Sequence, residues 1–542
     1  MFESLRPLVT CSRRVAERRR ATASARWRRV GLALGLVAGC SVGCAGAVRV
    51  SKETAEPKVV PSSDATLNHT DAPVSVPRPA TDPGLAARHP LAAGVRRIRE
   101  SMLSTHGAHA RLVGLCDGYG HRLSGSRALE EAIDWTVRTL RADGHEQVHK
   151  EAVRVPVWRR GAESAAIVEP QVAGAEVPLA VLGLGGTVPT PPGGIEAEVL
   201  VVRDEAELAA RKAEARGRVV LFDNPMPAWS EARGSGYSHC VRFRVHGARM
   251  AAEHGAVGVL VRSVTARSLR SPHTGAMHYG DAEARIPAAA ISTEDSDRIA
   301  RLRAAGRTVR VRLQLGAERL PDQTSYNVVA ELRGREKPDE IVIISGHIDS
   351  WDVGQGAHDD GSGVVMAMET LGTLRRLGMR PRRTIRLVLW TNEENGMAGA
   401  RSYVREHAAE LPRHVAVIEA DSGGFAPVGL GVFLEDKAVE QRVAQALEPL
   451  AALLQPLGPV RVRPGRSAPD VSRFHAHGVP AFGLLTHGER YFDYHHTHAD
   501  TVDKVDPGEL QRSAAAMASL AWWLAELPER VDERTTAPPA AP

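Results

Sequence analysis

At 542 residues, 43% hydrophobic and 25% charged, the chain has the composition of a globular protein and is too long for one ordinary domain. Its net charge of +5, from Lys+Arg 69 against Asp+Glu 64, owes much to an N-terminal arm holding Arg13, Arg14, Arg18, Arg19, Arg20, Arg26, Arg28 and Arg29. That arm lacks interleaved aromatics and runs into an apolar stretch, so it reads as a targeting leader rather than a nucleic-acid-binding surface.

The apolar stretch covers residues 30–39. A bilayer span needs about 20 residues, so this one fits the core of a signal peptide, taken as residues 1–40. Val37-Ala38-Gly39-Cys40 resembles a bacterial lipobox, in which Cys40 would carry the lipid; a plain secreted protein is the alternative. Either way the chain is expected to be exported: lipid-anchored to a bacterial membrane, periplasmic or secreted. Contact with a membrane is expected only through Cys40. Cys11, Cys40 and Cys44 belong to this leader, which leaves Cys116 and Cys240 in the body, as a disulfide or as two free thiols.

Residues 41–88, rich in Pro, Ser, Thr, Asp and Ala without apolar periodicity, read as a disordered linker. Residues 89–164 begin the first folded domain. Val95, Ile98, Met102 and Leu103 set a helical pattern there, and residues 126–144 set another, while 153–157 alternate like a strand. Residues 165–322 change character: short strands at 180–184, 198–202, 218–222, 257–261, 288–291 and 309–315, with helical patterns near 205–215, 248–254 and 295–305. No charged constellation there looks catalytic, so the segment reads as an inserted β/α module. From 323 to 530 the first domain resumes, with apolar strands at 326–332, 340–345, 384–390, 415–419 and 481–485 and helices at 363–376 and 398–409. Continuous apolar strands with helical crossovers predict an α/β fold: a mostly parallel twisted sheet with helices on both faces. Residues 531–542 are a tail.

In such sheets ligands sit outside the carboxyl ends of the strands, and the polar motifs follow predicted strands. His347 and Asp349 follow the run 340–345, with Asp359 and Asp360 in the same glycine-rich loop; Glu393 and Glu394 follow Trp390, and Asp421 follows Glu419. Tyr494, His495, His496 and His498 lie near the end. Each has an ordinary structural explanation alone: a strand-end histidine, a helix cap, an exposed first turn, a surface histidine tract. Their conjunction on one sheet edge is what points to hydrolysis by bound metal.

The motifs Ser345-Gly346-His347-Ile348-Asp349-Ser350-Trp351-Asp352-Val353-Gly354-Gln355-Gly356-Ala357, Asp359-Asp360-Gly361, Thr391-Asn392-Glu393-Glu394, Asp421 and Tyr494-His495-His496-Thr497-His498 resemble the di-zinc exopeptidase family of bacterial leucyl aminopeptidases, over residues 90–525. The resemblance implies two Zn2+ ions, one held by His347 and Asp421, the other by Glu394 and His496, with Asp359 between them. It implies Glu393 as the general base and Asp349 as the carboxylate that orients the ring of His347. Neighbours at a strand end point to different sides, so Glu394 can bind metal while Glu393 faces substrate. Tyr494 and His495 are candidates for facing the substrate. The module at 165–322 resembles the protease-associated domain that lids some exopeptidases, on Gly217-Arg218-Val219-Val220-Leu221-Phe222 and Gly255-Ala256-Val257-Gly258-Val259-Leu260-Val261.

The function implied is zinc-dependent exopeptidase action on short peptides or dipeptides with a free N-terminus. A catalytically inactive binding protein on the same fold and a related zinc aminoacyl cyclase are the alternatives; metal analysis and a peptide panel separate the three. The expected partner is a peptide substrate, not nucleic acid; homodimerisation is left open.

Overall fold

The structure is a computed structural model that describes residues 83–533 apart from 146 and 232. The segment expected to be a signal peptide, Cys40, most of the expected 41–88 linker and most of residues 531–542 lie outside the described residues. No helix among the described residues is long and apolar enough to cross a membrane.

Two eight-stranded sheets organise the described residues. In the first, four central strands lie side by side and parallel: Arg383–Trp390, Lys337–His347, His414–Glu419 and Ala481–Thr486. Their residues are apolar in unbroken runs because both faces are covered. Ile341, Val342, Ile343 and Ile344 are all at most 2% exposed. The helices Ser362–Arg376 and Pro507–Glu526 pack against each other on one face. Tyr403, Leu411 and Phe474 close the other. The second of these helices starts at Asp506, whose carboxylate accepts the Glu509 amide, with Pro507 at the first helical position. Burial of an aliphatic side chain contributes roughly 1.5–3 kcal/mol, and truncation leaves a cavity besides. Ile344→Ala is therefore expected to lose about 3–4 kcal/mol in denaturant titration; a loss under about 1 kcal/mol would contradict this packing.

The flanks are antiparallel where the apolar runs imply a mostly parallel sheet. Glu318–Leu332 pairs antiparallel with Arg383–Trp390 and with His149–Arg159, and Pro427–Phe433 runs antiparallel to Ala481–Thr486. The strand expected at 326–332 begins at Glu318, because its first half is half-exposed ribbon and carries no apolar run. That unbroken strand also ends the module earlier than residue 322. The second sheet draws its strands from Glu163–Val172 through Arg310–Leu315. It has its own apolar clusters, one on Phe222, Phe243 and Val259, another on Leu221, Ile299 and Leu313.

The chain enters and leaves the module through two touching glycines. A Cβ on Gly161 would stand 2.2 Å from the Gly316 carbonyl oxygen, and the Gly316 amide donates to the Ala162 carbonyl at 2.9 Å. Side chains at either place would splay the neck. Cys116 and Cys240 are buried free thiols, so the disulfide alternative is excluded.

Candidate metal centre

The parallel strands end at one edge of the first sheet, and the candidate residues gather there. His347 is the last residue of its strand. Its Nε2 stands 3.2 Å from Asp359 Oδ1 and 3.7 Å from Asp421 Oδ1. His496 Nε2 stands 3.1 Å from Asp359 Oδ2 and 3.1 Å from Glu394 Oε2. Asp359 thus lies between a His347–Asp421 half and a Glu394–His496 half. Ligand atoms of His347, Asp359 and Glu394 lie within 4.8 Å of one another, as do those of Asp359, His495 and His496, and those of His347, Asp360 and Asp421.

The loop that carries Asp359 is held from several sides. Arg122, fully buried, donates to the carbonyls of Gly120, Ile348, Gln355 and Gly356. Asp500 accepts the main-chain amides of His358 (2.7 Å) and Asp359 (3.1 Å). Asp360 accepts the amides of His347 and Gly363, which closes the loop onto the strand end and the next helix. The Asp359–Asp360 peptide is cis.

Asp349 works differently from the expectation. His347 Nδ1 lies 3.0 Å from the Asp349 main-chain carbonyl, whereas the Asp349 carboxylate is 3.8 Å away. The carboxylate instead accepts the amides of Glu393 (3.0 Å) and Glu394 (3.3 Å). The carbonyl orients the histidine, and the carboxylate pins the turn that bears the two glutamates. The sequence offers both groups on one residue and cannot say which one turns inward.

Tyr494 also departs from expectation. Its ring stacks on His358 at 5.2 Å, and its hydroxyl is taken by Arg490, so it packs away from the metal cluster. Tyr491, three residues earlier, is the tyrosine that feels the acidic cluster. Burial and then Asp359 and Asp421 push its hydroxyl well above the usual tyrosine range, and its ring is 5.1 Å from that of His495. His358 is a packing residue, its ring receiving the Gly424 amide and stacking on Phe425. His495 sits with Nε2 3.7 Å from Asp359 Oδ2. Burial, with His496 beside it, holds its pKa well below the ordinary histidine range, so it stays a neutral ring.

The electrostatics are those of acids crowded together out of water. Burial pushes Glu393 well above the usual carboxylate range, with Glu394 and Asp421 adding to the effect against the pull of His347. Burial also lifts Glu394, to about 7. Burial opposes the charge on Asp359, yet His347 and His496 outweigh it and hold Asp359 well below the ordinary range. Behind Glu393, Asp470 is fully buried with both carboxylate oxygens unpartnered, and its amide donates to Glu419 at 3.0 Å.

These residues fit bound zinc. Among the described residues no Lys or Arg pairs with Asp359, Glu393, Glu394 or Asp421, and His347 Nε2 and Glu394 Oε1 are buried without a hydrogen-bond partner. A cluster of buried carboxylates is costly unless cations or ligated metal compensate it. Imidazole nitrogen and carboxylate oxygen together are a donor set that zinc takes.

A parallel-centred sheet that gathers two histidines and several carboxylates at its carboxyl edge, with an apolar-cored module set into the chain, defines a metallopeptidase. The model of peptidase family M28 matches residues 327–521. Carboxypeptidase Q of Mus musculus is 42% identical over 422 residues, 78% of this chain and 86% of that protein, and the Homo sapiens protein is 41% identical over the same shares. Among solved structures, a peptidase M28 precursor from Shewanella amazonensis is 35% identical with a TM-score of 0.76, covering 84% of this chain and 100% of its own. A zinc aminopeptidase from Bacillus subtilis, 19% identical with a TM-score of 0.57 over 80% of this chain and 98% of its own, shares the fold. The chain belongs to peptidase family M28, and it is a hydrolase of the metallopeptidase class.

Asp500, Arg122, Tyr491 and the module's Thr274 and Arg244 were not singled out by the sequence. Asp500 had a signal in the pattern His496-Thr497-His498-Ala499-Asp500-Thr501. Thr274 and Arg244 had none, since they lie 222 and 252 positions from the histidine they touch.

Proposed function

We propose that the chain is a zinc-dependent exopeptidase that hydrolyses short peptides or dipeptides with a free N-terminus. His347 and Asp421 would hold one Zn2+, Glu394 and His496 the other, and Asp359 would serve both. The observation that carries this reading is the buried carboxylate cluster with no Lys or Arg among the described residues to neutralise it. When bound, zinc supplies Lewis-acid polarisation of the scissile carbonyl and acidifies water. Glu393 is the group left to move a proton: its carboxylate takes one from the attacking water and passes it to the leaving amine. The Asp349 carboxylate keeps the Glu393 amide fixed while the side chain works. His495 Nε2 lies 3.7 Å from Asp359 Oδ2 and is outside the proposed ligand set.

The second sheet is read as a protease-associated-like lid. Its residues Met226, Trp229 and Arg267 line, with Phe492 and Asp493, a cleft of about 190 Å³. The Phe492 ring lies 5.0 Å from that of His495, which places the cleft one ring away from the cluster. The cleft's apolar floor suits a substrate side chain, while Arg267 at the rim is paired with Glu489 and Asp493. Export with lipidation at Cys40 remains part of the proposal.

A panel of dipeptides, blocked dipeptides and aminoacyl amides, assayed with zinc and with chelator, tests the reading. Cleavage of free-amine substrates, lost on chelation and restored by zinc, is the expected result. Equal cleavage of N-blocked peptides, or turnover unaffected by chelator, would sink it.

A further inference from the structure

Among the proposed ligands His496 alone has a positive φ, 60°, a left-handed conformation that non-glycine residues seldom adopt. Such strain persists only where the surroundings over-determine the conformation. Here the surroundings come from the inserted module. The Thr274 amide donates to the His496 carbonyl at 3.0 Å, and His496 Nδ1 lies 3.2 Å from the Thr274 carbonyl. Both main-chain groups of one residue therefore clasp the histidine, front and back. With Nδ1–H committed to a carbonyl, the Nε2 lone pair points at Asp359 and Glu394 and is free for a cation.

Thr274 is itself fixed. Its hydroxyl donates to the Gly183 carbonyl at 2.8 Å and accepts from Arg160 at 3.2 Å. Arg160 in turn makes a two-point ion pair with Asp352, at 2.9 and 2.7 Å, in the loop that follows His347. Arg244, buried, lies flat against the next residue: a Cβ on Gly275, whose φ is 143°, would stand 2.5 Å from its Cζ. Its two amino groups reach the Tyr237 hydroxyl (2.8 Å) and the edge of His496 (Nδ1, 3.4 Å). A guanidinium is donor-only, so its part is to press the 274–275 backbone against the histidine and not to accept its proton. His347, by contrast, is oriented by a carbonyl of its own loop.

We propose that Thr274, through its main-chain carbonyl, and Arg244, packed on Gly275, are positioning residues for His496, so that the Glu394–His496 half of the metal site is completed by the inserted module while the His347–Asp421 half is not. The proposal rests on the two-ion reading above.

The test is zinc stoichiometry and affinity by chelator competition on the full chain, with cobalt(II) absorption spectra as a report of ligand geometry and circular dichroism as a check of folding. Gly275→Ala and Arg244→Met are expected to weaken one zinc equivalent at least 10-fold, within the range for loss of an outer partner of a ligand, and to leave the other unchanged. Thr274→Ser keeps the carbonyl and is expected to match the parent. Parent-like affinities and cobalt spectra in both folded variants overturn the proposal, and so does an equal weakening of both equivalents. If Gly275→Ala does not fold, Arg244→Met decides. A parent that takes up a single equivalent overturns the two-ion reading itself, and the inference about half-sites falls with it.

Discussion

Glu393→Gln is expected to keep the fold and the zinc content and to lower kcat by on the order of 10³-fold, with KM little changed. Glutamine has the shape of glutamate, and the main-chain amide at 393 stays on the Asp349 carboxylate. What it lacks is basicity. The size of the effect follows from where Glu393 sits. Burial and the neighbouring Glu394 and Asp421 carboxylates favour its protonated form when no cation is present. Dications held by the proposed ligands would cancel that repulsion and return Glu393 towards the range of a working base. On that reading Glu393 would be matched to neutral pH only in the loaded enzyme. Asp349→Asn is a useful companion: it weakens the grip on both glutamate amides at once. It is expected to cost less in kcat than Glu393→Gln and to lower zinc affinity as well. Measurement is by steady-state kinetics with metal analysis of each variant. Near-parent kcat in zinc-replete Glu393→Gln would remove Glu393 from the proton path.

The parts of this molecule that were legible in the sequence are those where one residue's environment dictates its type. The run 341–344 is apolar throughout because both faces of its strand are covered, and a sequence shows that directly. The polar residues that follow such runs could be placed on one edge by the same logic. What was hidden depends on choices a linear pattern does not encode. Asp349 could present either its carbonyl or its carboxylate to His347, and the turn decides. Tyr491 and Tyr494 lie on one short helix, and the stacking of Tyr494 on His358 settles which of them faces the cluster. The half-exposed first part of Glu318–Leu332 has no apolar periodicity because it is a ribbon paired on one side with His149–Arg159. Thr274 and Arg244 are ordinary loop and helix residues until the module folds back on His496. Long-range contacts of that kind leave no local signature.

Removing zinc is expected to make stability strongly pH-dependent between about pH 7 and 9, where the loaded protein is nearly flat. In the metal-free state burial lifts Glu394 to about 7 and Glu419 to about 8. Burial works against charge on His496, but Glu394 and Asp359 prevail and raise it to about 9. All three have folded pKa values above their unfolded ones, so the folded state holds more protons. Their contribution to stability is full below the unfolded pKa and is lost as pH rises through the folded pKa. The buried histidines His273, His358 and His414 shift the opposite way, by burial, to about 3, 4 and 4. Their unfolded pKa is near 6.5, so they act below about pH 7.5; above it the loss comes chiefly from Glu419 and His496, with Glu394 and Asp500 adding at its lower end. With zinc bound, Glu394 would stay ionised and His496 neutral throughout, so neither ligand would have a proton to lose. A tenfold difference in proton affinity between the folded and unfolded chain corresponds to about 1.4 kcal/mol, which puts the loss at a few kcal/mol across the window. Thermal melts of chelated and zinc-loaded protein at pH 7, 8 and 9 measure it: the gap in Tm should widen with pH. Parallel curves for the two forms would mean that this acid cluster does not hold the metal. A gap that narrows towards pH 9 would mean that the cluster carries its charge in the metal-free fold without cost.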